Sequence, residues 1–142
     1  MKKSSTAIKQ SDIKREWHLI DLKGKVLGRI SVDIAKLLMG KSKPNYVRNL
    51  DCGDYVVVIN AKEIKVTGKK ETDKKYYRHS GYPGGFREET LKELREKRPE
   101  DIIIHAVSGM VPQNKLKAKM LKRFRVFAGP VHGFEDKFKN KE

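Results

Sequence analysis

The segment 74–85, with the sequence KKYYRHSGYPGG, carries the residue types that are best suited to binding chemistry. Tyrosine rings can stack on bases, the lysines and the arginine can meet phosphates, and glycines allow a close backbone approach. Gly81, Pro83 and Gly84 argue against a helix. From these residues alone two interpretations stay open: a loop that binds a phosphate-rich, base-bearing partner, or a hairpin whose tyrosines pack on the domain.

The overall charge favours a polyanionic partner. The 142 residues include 33 Lys and Arg against 18 Asp and Glu, a formal net charge of +15. Nucleic acid would offset the resulting self-repulsion. No apolar run approaches the roughly 20 residues of a membrane span, and the basic start has no apolar signal region. The single cysteine, Cys52, excludes an internal disulfide and fits a reducing compartment. We therefore expect no membrane association.

The two signs of charge are segregated along the chain. Apolar residues at helical spacing predict a helix over Lys115–Phe124, and the stretch 102–134 holds no Asp or Glu. Without a carboxylate to pair with, the cations of this helix either form a solvated face or meet an anionic surface, and we favour the second. These cations are Lys115, Lys119, Lys122 and Arg123. Acids cluster in 88–101, which predicts an acidic ridge that faces solvent or another protein.

A second candidate phosphate site is the turn Lys23–Arg29, which joins a predicted strand to a predicted helix. Helix N-termini have unpaired N–H groups and a partial positive charge, so they attract phosphate, and Lys25 and Arg29 would add to this. Gly24 and Gly28 lie four apart, which is not the dinucleotide-binding pattern. A tight turn without a ligand is the alternative.

Signals for an enzyme or a metal site are weak. The segment 35–42, AKLLMGKS, fits a loose P-loop pattern, but its Gly-Lys-Ser follows a helix instead of opening one. Asp51 and Asp54 make a poor cation cage, and we expect them to hold nearby lysines or arginines. The histidines have no metal-ligand spacing, and His105 is expected to be partly buried. We predict no catalytic residues, no metal, no cofactor and no small-molecule substrate.

The order of elements predicts an α/β domain. Strands are predicted at Trp17–Asp21, Tyr55–Asn60, Ile64–Thr67 and Val126–Phe127, and the continuous apolar run YVVVIN indicates a buried parallel strand. A helix ends at Gly40, another spans Glu88–Arg98, and Pro99-Glu100-Asp101 starts a third that includes DIIIHAV. We expect a basic N-terminal arm over 1–15 that is flexible until it binds, one domain over 16–130 and a polar tail over 131–142.

Taken together, the motifs resemble one family, and the resemblance runs from about Lys14 to Pro130. REW at 15–17, GKVLGR at 24–29, AKLLMGKSKP at 35–44, DCGDYVVVINA at 51–61, VTGKK at 66–70, KKYYRHSGYPGG at 74–85, GMVP at 109–112 and VFAGP at 126–130 resemble the ribosomal protein thirteen family of the large subunit, most closely its bacterial form. Met39, Ser42, Ser108 and Gln113 stand where that family commonly has a basic residue or histidine.

The resemblance implies a three-layer α/β/α sandwich with a small, mainly parallel sheet, plus basic loops. It also implies a structural constituent of the large ribosomal subunit that binds ribosomal RNA, joins early in assembly, lies beside other large-subunit proteins and is not an enzyme. From the residues and the resemblance together we predict these RNA contacts: Lys25, Arg29, Lys41, Lys43, Lys69, Lys70, Lys74, Lys75, Tyr76, Tyr77, Arg78, His79, Tyr82, Lys115, Lys119, Lys122 and Arg123.

Two other functions stay open at this point. An RNA-modifying or nucleotide-dependent enzyme would use the turn Lys23–Arg29 and the segment 35–42. A free translational regulator that binds messenger RNA would share every basic feature of a ribosomal protein. We expect a cytoplasmic location in the ribosome, and the sequence leaves an organellar ribosome open as well.

Overall fold

The computed structural model describes residues 8–138, so the first part of the predicted N-terminal arm (residues 1–7) and the end of the predicted tail (139–142) lie outside the described residues. The strands are β1 Trp17–Asp21, β2 Tyr55–Ile59, β3 Lys75–His79, β4 Phe86–Thr90 and β5 Phe124–Val126. The α-helices are α1 Leu27–Met39, α2 Lys70–Asp73, α3 Leu91–Lys97, α4 Pro99–Met110 and α5 Lys117–Lys122. Single 3₁₀ turns occur at Gln10–Asp12, Ala61–Glu63 and Glu135–Lys137.

A small parallel sheet forms the centre of the domain, with strand order β1-β2-β5. β1 pairs with β2 from Trp17↔Tyr55 to Asp21↔Ile59, and β2 pairs with β5 from Val56↔Phe124 to Val58↔Val126. Val56, Val57 and Val58 in the middle strand are fully buried, because both faces of β2 are covered. The prediction of a buried parallel strand here is confirmed.

Helices α1 and α4 cover one face of the sheet and supply a large part of the core. α1 buries the stripe that contains Leu27, Ile34 and Leu38, and it ends at Gly40, whose φ of 76° suits a glycine. α4 buries Ile102, Ile103 and Val107. The segment DIIIHAV is therefore helical, as Pro99 at the helix start predicts.

Aromatic side chains of the C-terminal segment lie against the other face of the sheet. The rings of Trp17 and Tyr55 stack with centroids 4.4 Å apart, and Phe134 and Phe138 contact Trp17 at 5.5 and 6.2 Å. The α/β class with a small parallel sheet is confirmed. The described residues that cover this second face include part of the predicted tail. That part contains the 3₁₀ turn Glu135–Lys137.

Segment 75–90 is an antiparallel hairpin, β3–β4, that is separate from the central sheet. Two sequence predictions are corrected nearby. Glu88 and Glu89 belong to β4, so the predicted helix Glu88–Arg98 begins only at Leu91, where Thr90 and Glu93 form a capping box. Ile64–Thr67 makes no strand; Lys65 forms one isolated bridge with Val26.

The C-terminal elements also differ from the predictions in their bounds. The predicted helix Lys115–Phe124 is the shorter α5, Lys117–Lys122. Phe124 instead opens β5, which ends at Val126, so the predicted strand Val126–Phe127 lies too far along the chain. Phe124 is buried and pairs with Val56, and this pairing partner lies far away in sequence.

Candidate nucleic-acid interface

A strongly basic concave surface is a groove of about 700 Å³ between the start of α1, α2, β3 and α4. We call it the basic groove. Its charged lining residues, among those described, are Arg29, Lys70, Lys74 and Lys75, and no carboxylate lines it. These cations come from separate elements of the chain, so the fold itself brings them together. Within the described residues, only Lys75 of the four is in an ion pair, with Glu88 at 3.2 Å.

Glu88 has a direct effect on Lys75. Its hydrogen bond and negative charge raise the pKa of the Lys75 ammonium above its usual value. The ammonium of Lys74 instead lies 5.3 Å from the centre of the Tyr76 ring, a cation–π contact that leaves its charge uncompensated. Two neighbouring lysines thus reach the same groove with different partners.

The backbone at the start of α1 adds to the positive potential of the basic groove. In the first turn, the Leu27 N–H donates to the Lys65 carbonyl at 2.9 Å and the Ile30 N–H to the Val26 carbonyl at 3.2 Å. Between them, the N–H groups of Gly28 and Arg29 have no acceptor among the described residues. Both residues line the groove. Free N–H groups at a helix start favour an anion, as predicted for the turn Lys23–Arg29.

Tyr76 of β3 lines the basic groove and contacts α4. Its ring lies 5.3 Å from the ring of His105 on α4. The Tyr76 hydroxyl is buried and has no hydrogen-bond partner among the described residues. Burial raises the pKa of this phenol. His105 itself is exposed, which corrects the expectation of partial burial.

Arg95 holds the wall of the groove in position without lining it. Its guanidinium donates to both Glu71 oxygens, at 2.9 and 3.0 Å, and to the carbonyls of Lys62 and Ile64, both at 2.8 Å. These four bonds tie α3 to α2 and to the segment that follows β2. Because Lys70 begins α2, Arg95 fixes the position of that lysine relative to α1.

The hairpin β3–β4 exposes the rings that the sequence singles out. Tyr77 and Tyr82 are 63% and 76% exposed, so they do not pack on the domain. Tyr77 stacks on Phe86 of the neighbouring strand, with centroids 5.8 Å apart and an angle of 22° between the planes. The hairpin interpretation is thus correct for the backbone and wrong for these two tyrosines. Arg78 and His79 are also exposed.

A second group of exposed cations lies around the other end of α1. A cavity of about 350 Å³ is lined by Lys41, Tyr46, Arg48 and Asn114 among others. Three of the cations predicted for the C-terminal helix are exposed and follow the cavity residue Asn114 in the sequence. They are Lys115, Lys119 and Lys122. Lys25 and Lys69 are exposed beside residues of the basic groove but do not line it.

Arg123, which we predicted to contact RNA, is buried. It is 7% exposed, and its two terminal nitrogens bond to both carboxylate oxygens of Asp51. The expectation that Arg123 is exposed beside Lys119 is wrong, because α5 ends at Lys122 and Asp51 binds the Arg123 guanidinium in the interior. Burial acts to raise the pKa of the Asp51 carboxyl, but the hydrogen bonds and charge of Arg123 outweigh it and hold that pKa below its usual value.

Lys43 is also directed inward. Its ammonium bonds to Asp54 at 2.5 Å, to the carbonyl of Lys14 at 2.6 Å and to the carbonyl of Cys52 at 3.1 Å. Burial again opposes ionisation of Asp54, yet bonds from Lys43, the Glu16 N–H and His18 hold the pKa of this carboxyl below its usual value. The expectation that Asp51 and Asp54 hold nearby cations is confirmed. The prediction that Arg123 and Lys43 are exposed is wrong.

Some candidate residues were not in the predicted set. Phe86, Arg87 and Arg48 are exposed, and Phe86 and Arg87 lie opposite predicted residues of β3. The segment FREET has one apolar residue and no apolar/polar alternation that could have identified the second strand, and its acids suggested the start of a helix. The predicted acidic ridge is half neutralised: three of its six acids, Glu88, Glu89 and Asp101, pair with Lys75, Lys97 and Arg98.

The described residues give no support to nucleotide or metal chemistry. At the end of α1, the Gly40 N–H donates to the carbonyls of Lys36 and Leu37 and the Lys41 N–H to that of Lys36, so these groups are already used in the helix cap. Within residues 8–138, no three His, Cys, Asp or Glu side chains come together as metal ligands. Over the same residues, none of the helices has the length and apolar character needed to cross a bilayer.

These features define a basic α/β protein whose uncompensated cations surround an open groove. Comparison with known proteins identifies it further: the family model described as Ribosomal protein L13 matches residues 15–133. The chain belongs to the ribosomal protein L13 family. The resemblance inferred from the motifs is thus confirmed.

Curated relatives from several bacteria agree with the family match, and each is named large ribosomal subunit protein uL13. The protein of Dehalococcoides mccartyi strain BAV1 is 56% identical over 125 residues, which cover 88% of this chain and 87% of the relative. That of Aquifex aeolicus is 52% identical over 125 residues, with the same coverage. That of Thermotoga petrophila is 51% identical over 128 residues, 90% of this chain and 86% of the relative.

Proposed function

We propose that this chain binds large-subunit ribosomal RNA through the basic groove and the exposed faces beside it. As a member of its family the chain is a structural constituent of the large ribosomal subunit and not an enzyme. The observation that carries the proposal is the basic groove, where Arg29, Lys70 and Lys74 have no ion-pair partner among the described residues. Cations held close together at a protein surface repel one another, and RNA phosphates would remove that repulsion.

The groove favours recognition of RNA shape over direct reading of base sequence. The major groove of A-form RNA is too narrow for side chains to read, so affinity comes from phosphate and ribose contacts along a folded RNA. Lys25 and Lys69 are exposed and next in sequence to the groove residues Val26 and Lys70, so they would extend the groove. Lys41, Lys115, Lys119 and Lys122 form a second basic area near the far end of α1, a helix of 13 residues. Contacts at both ends would let one small domain hold two RNA segments.

The same proposal covers location, assembly and neighbours. The chain would act in the ribosome of the cytoplasm, join the large subunit early in its assembly and lie beside other large-subunit proteins. The single compact unit formed by residues 16–130 would carry the RNA contacts. Residues 131–138 would serve the domain as a cover for Trp17, and the basic residues of 1–15 would add further contacts once RNA is bound.

A salt titration of binding to a large-subunit ribosomal RNA transcript tests the proposal. If roughly six phosphates are neutralised, the slope of log affinity against log salt should be about −4 to −5. Substituting Arg29, Lys70 or Lys74 by alanine should make the slope less steep by about 0.7–0.9 for each phosphate that the variant no longer neutralises. Affinity that hardly changes with salt would overturn the proposal.

Lys36→Ala provides a matched control for this titration. Lys36 is exposed on the same helix as Arg29, but it lies 3.9 Å from Asp33 and does not line the basic groove. Its removal should leave the slope unchanged. If Lys36→Ala and Arg29→Ala have equal effects, the groove is not the binding surface and only net charge matters.

A messenger-RNA regulator that acts away from the ribosome shares the basic groove. Sedimentation of a cell extract separates the two functions, because a ribosomal constituent should co-sediment with large subunits at high salt. A protein found only in the free fraction would favour the regulator.

A further inference from the structure

The two faces of the hairpin β3–β4 carry different chemistry. Alternation along each strand puts Arg78 and its partner Arg87 on one face, together with the pair Tyr76 and Glu89. The other face carries Tyr77, His79 and Phe86, and also the ion pair of Lys75 and Glu88. We call these the arginine face and the ring face.

On the arginine face, two like charges stand directly opposite each other. Arg78 and Arg87 are register partners in the antiparallel pair, an arrangement that destabilises a hairpin unless an anion lies nearby. Neither arginine has an ion pair among the described residues. The carboxylate on this face, Glu89, is already bonded to Lys97 at 3.0 Å and lies 3.9 Å from Arg98.

The two arginines also share a small cavity at the tip of the hairpin. It has a volume of about 280 Å³ and is lined by Arg78, His79, Ser80, Gly84, Gly85 and Arg87. Gly85 is required there, since a Cβ atom would lie 2.1 Å from the Ser80 Oγ and 2.9 Å from the Tyr82 carbonyl oxygen. Two guanidinium groups above a glycine-rich turn suit a phosphate group, which accepts paired N–H donors.

On the ring face, Tyr77 and Phe86 form an exposed stacked pair. Phe86 is 56% exposed and Tyr77 is 63% exposed, so most of the area of two large rings faces solvent. The rings are inclined by only 22° to each other, and the pair leaves flat ring surface open to solvent. Such a surface suits an unstacked base, because every base has a flat face that an aromatic ring can cover.

We propose that the hairpin is held between two parts of a folded RNA: Arg78 and Arg87 bind one backbone phosphate, and Tyr77 and Phe86 stack on one unpaired base. This inference rests on the proposed function and adds Phe86 and Arg87 to its contacts. Glu89 and Asp101 line a cavity together with the two arginines, and Glu89 interacts with the charge of Arg78, but both carboxylates are already paired with other cations. An RNA partner fits better than a protein, since neither Arg78 nor Arg87 has an ion pair among the described residues. A partner that supplied only apolar side chains would leave them unpaired.

Two double variants separate the two contacts in binding to the large-subunit ribosomal RNA transcript. Tyr77→Leu with Phe86→Leu removes the rings and no charge, so affinity should fall about 5- to 150-fold at an unchanged salt slope. Arg78→Gln with Arg87→Gln should weaken binding and also make the slope less steep by about 0.7–0.9, the value for one phosphate contact. Far-UV circular dichroism should be unchanged for both variants.

Three results would overturn the inference while leaving the proposed function intact. The ring variant could bind as tightly as the wild type, which would show that the rings do not contact this RNA. The ring variant could change the slope, or the arginine variant could leave it unchanged. In contrast, a wild-type protein without saturable, salt-sensitive binding to the transcript would contradict the proposed function itself.

Discussion

Two stacked ring pairs occur in opposite surroundings in this molecule. Trp17 and Tyr55 stack at 4.4 Å on the central sheet, where Phe134 lies 5.5 Å from Trp17. Tyr77 and Phe86 stack at 5.8 Å on the hairpin, and both are mostly exposed. The first pair is covered by the chain's own C-terminal segment and contributes to the fold. The second pair has no cover among the described residues and is available to a partner.

Arg123 and Arg78 show the same contrast between a buried and an exposed side chain. Arg123 is bonded through both terminal nitrogens to Asp51, whereas Arg78 lies opposite another arginine. Both belong to segments that look equally basic in the sequence. What separates them is a buried carboxylate 72 positions away in the chain. The role of a cation in this protein therefore depends on whether the fold gives it a carboxylate.

Removing Arg123 should have the largest effect on stability. Arg123→Ala leaves Asp51 buried with only the more distant Arg15, at 3.5 Å, so the free energy of unfolding should fall by about 3–5 kcal/mol. Urea denaturation followed by circular dichroism measures this loss. Lys119→Ala is the matched control on α5 and should change stability by about 0.5 kcal/mol or less. Equal losses in the two variants would contradict the contrast between inward and outward cations.

Acid should weaken the same interior contacts. The pKa values of Asp51 and Asp54 are lowered in the folded state, so their ionisation stabilises folding above the unfolded value of 3.8. That stabilisation should be lost as pH falls from about 5 through 3.8 and on through the lower folded values. Urea midpoints measured across this range should fall, and Asp54→Asn should make the fall less steep. A flat profile would show that these ion pairs add no stability.

The two ring pairs can be compared by matched phenylalanine substitutions. Phe134→Ala should cost about 1–3 kcal/mol, because it uncovers Trp17, while Phe86→Ala should cost about 0.5 kcal/mol or less at its exposed site. Trp17 is the only tryptophan, so its fluorescence should shift to longer wavelength in the first variant alone. If Phe86→Ala destabilises as much as Phe134→Ala, the hairpin rings serve the fold.

Much of the fold can be predicted because its signals are local. Pro99 with Glu100 and Asp101 identifies α4 despite the strand-like run of isoleucines, and the run from Tyr55 identifies the buried strand. The errors arise where distant residues decide. Glu88 and Glu89 resemble the first turn of a helix, but they pair with Tyr77 and Tyr76 in the hairpin.

The candidate site divides in the same way. Residue types alone identify Tyr77, Tyr82 and the cations around the start of α1, since charge and exposure go together there. The inward direction of Lys43 could not be read from its neighbours, because two of its three bonds go to main-chain carbonyls. Arg87 was missed because its position opposite Arg78 exists only once the hairpin has formed.

Arg95 has a consequence for any mutational survey of this surface. Since its four bonds to Glu71, Lys62 and Ile64 set the spacing between α2 and α3, an alanine at this position would let Lys70 drift away from Arg29. If the proposed function is right, RNA binding would then weaken although Arg95 does not line the basic groove. An alanine scan that measures RNA affinity alone would therefore count Arg95 among the contacts. A measurement of folding stability for each variant is needed to separate a residue that shapes the surface from one that binds the RNA.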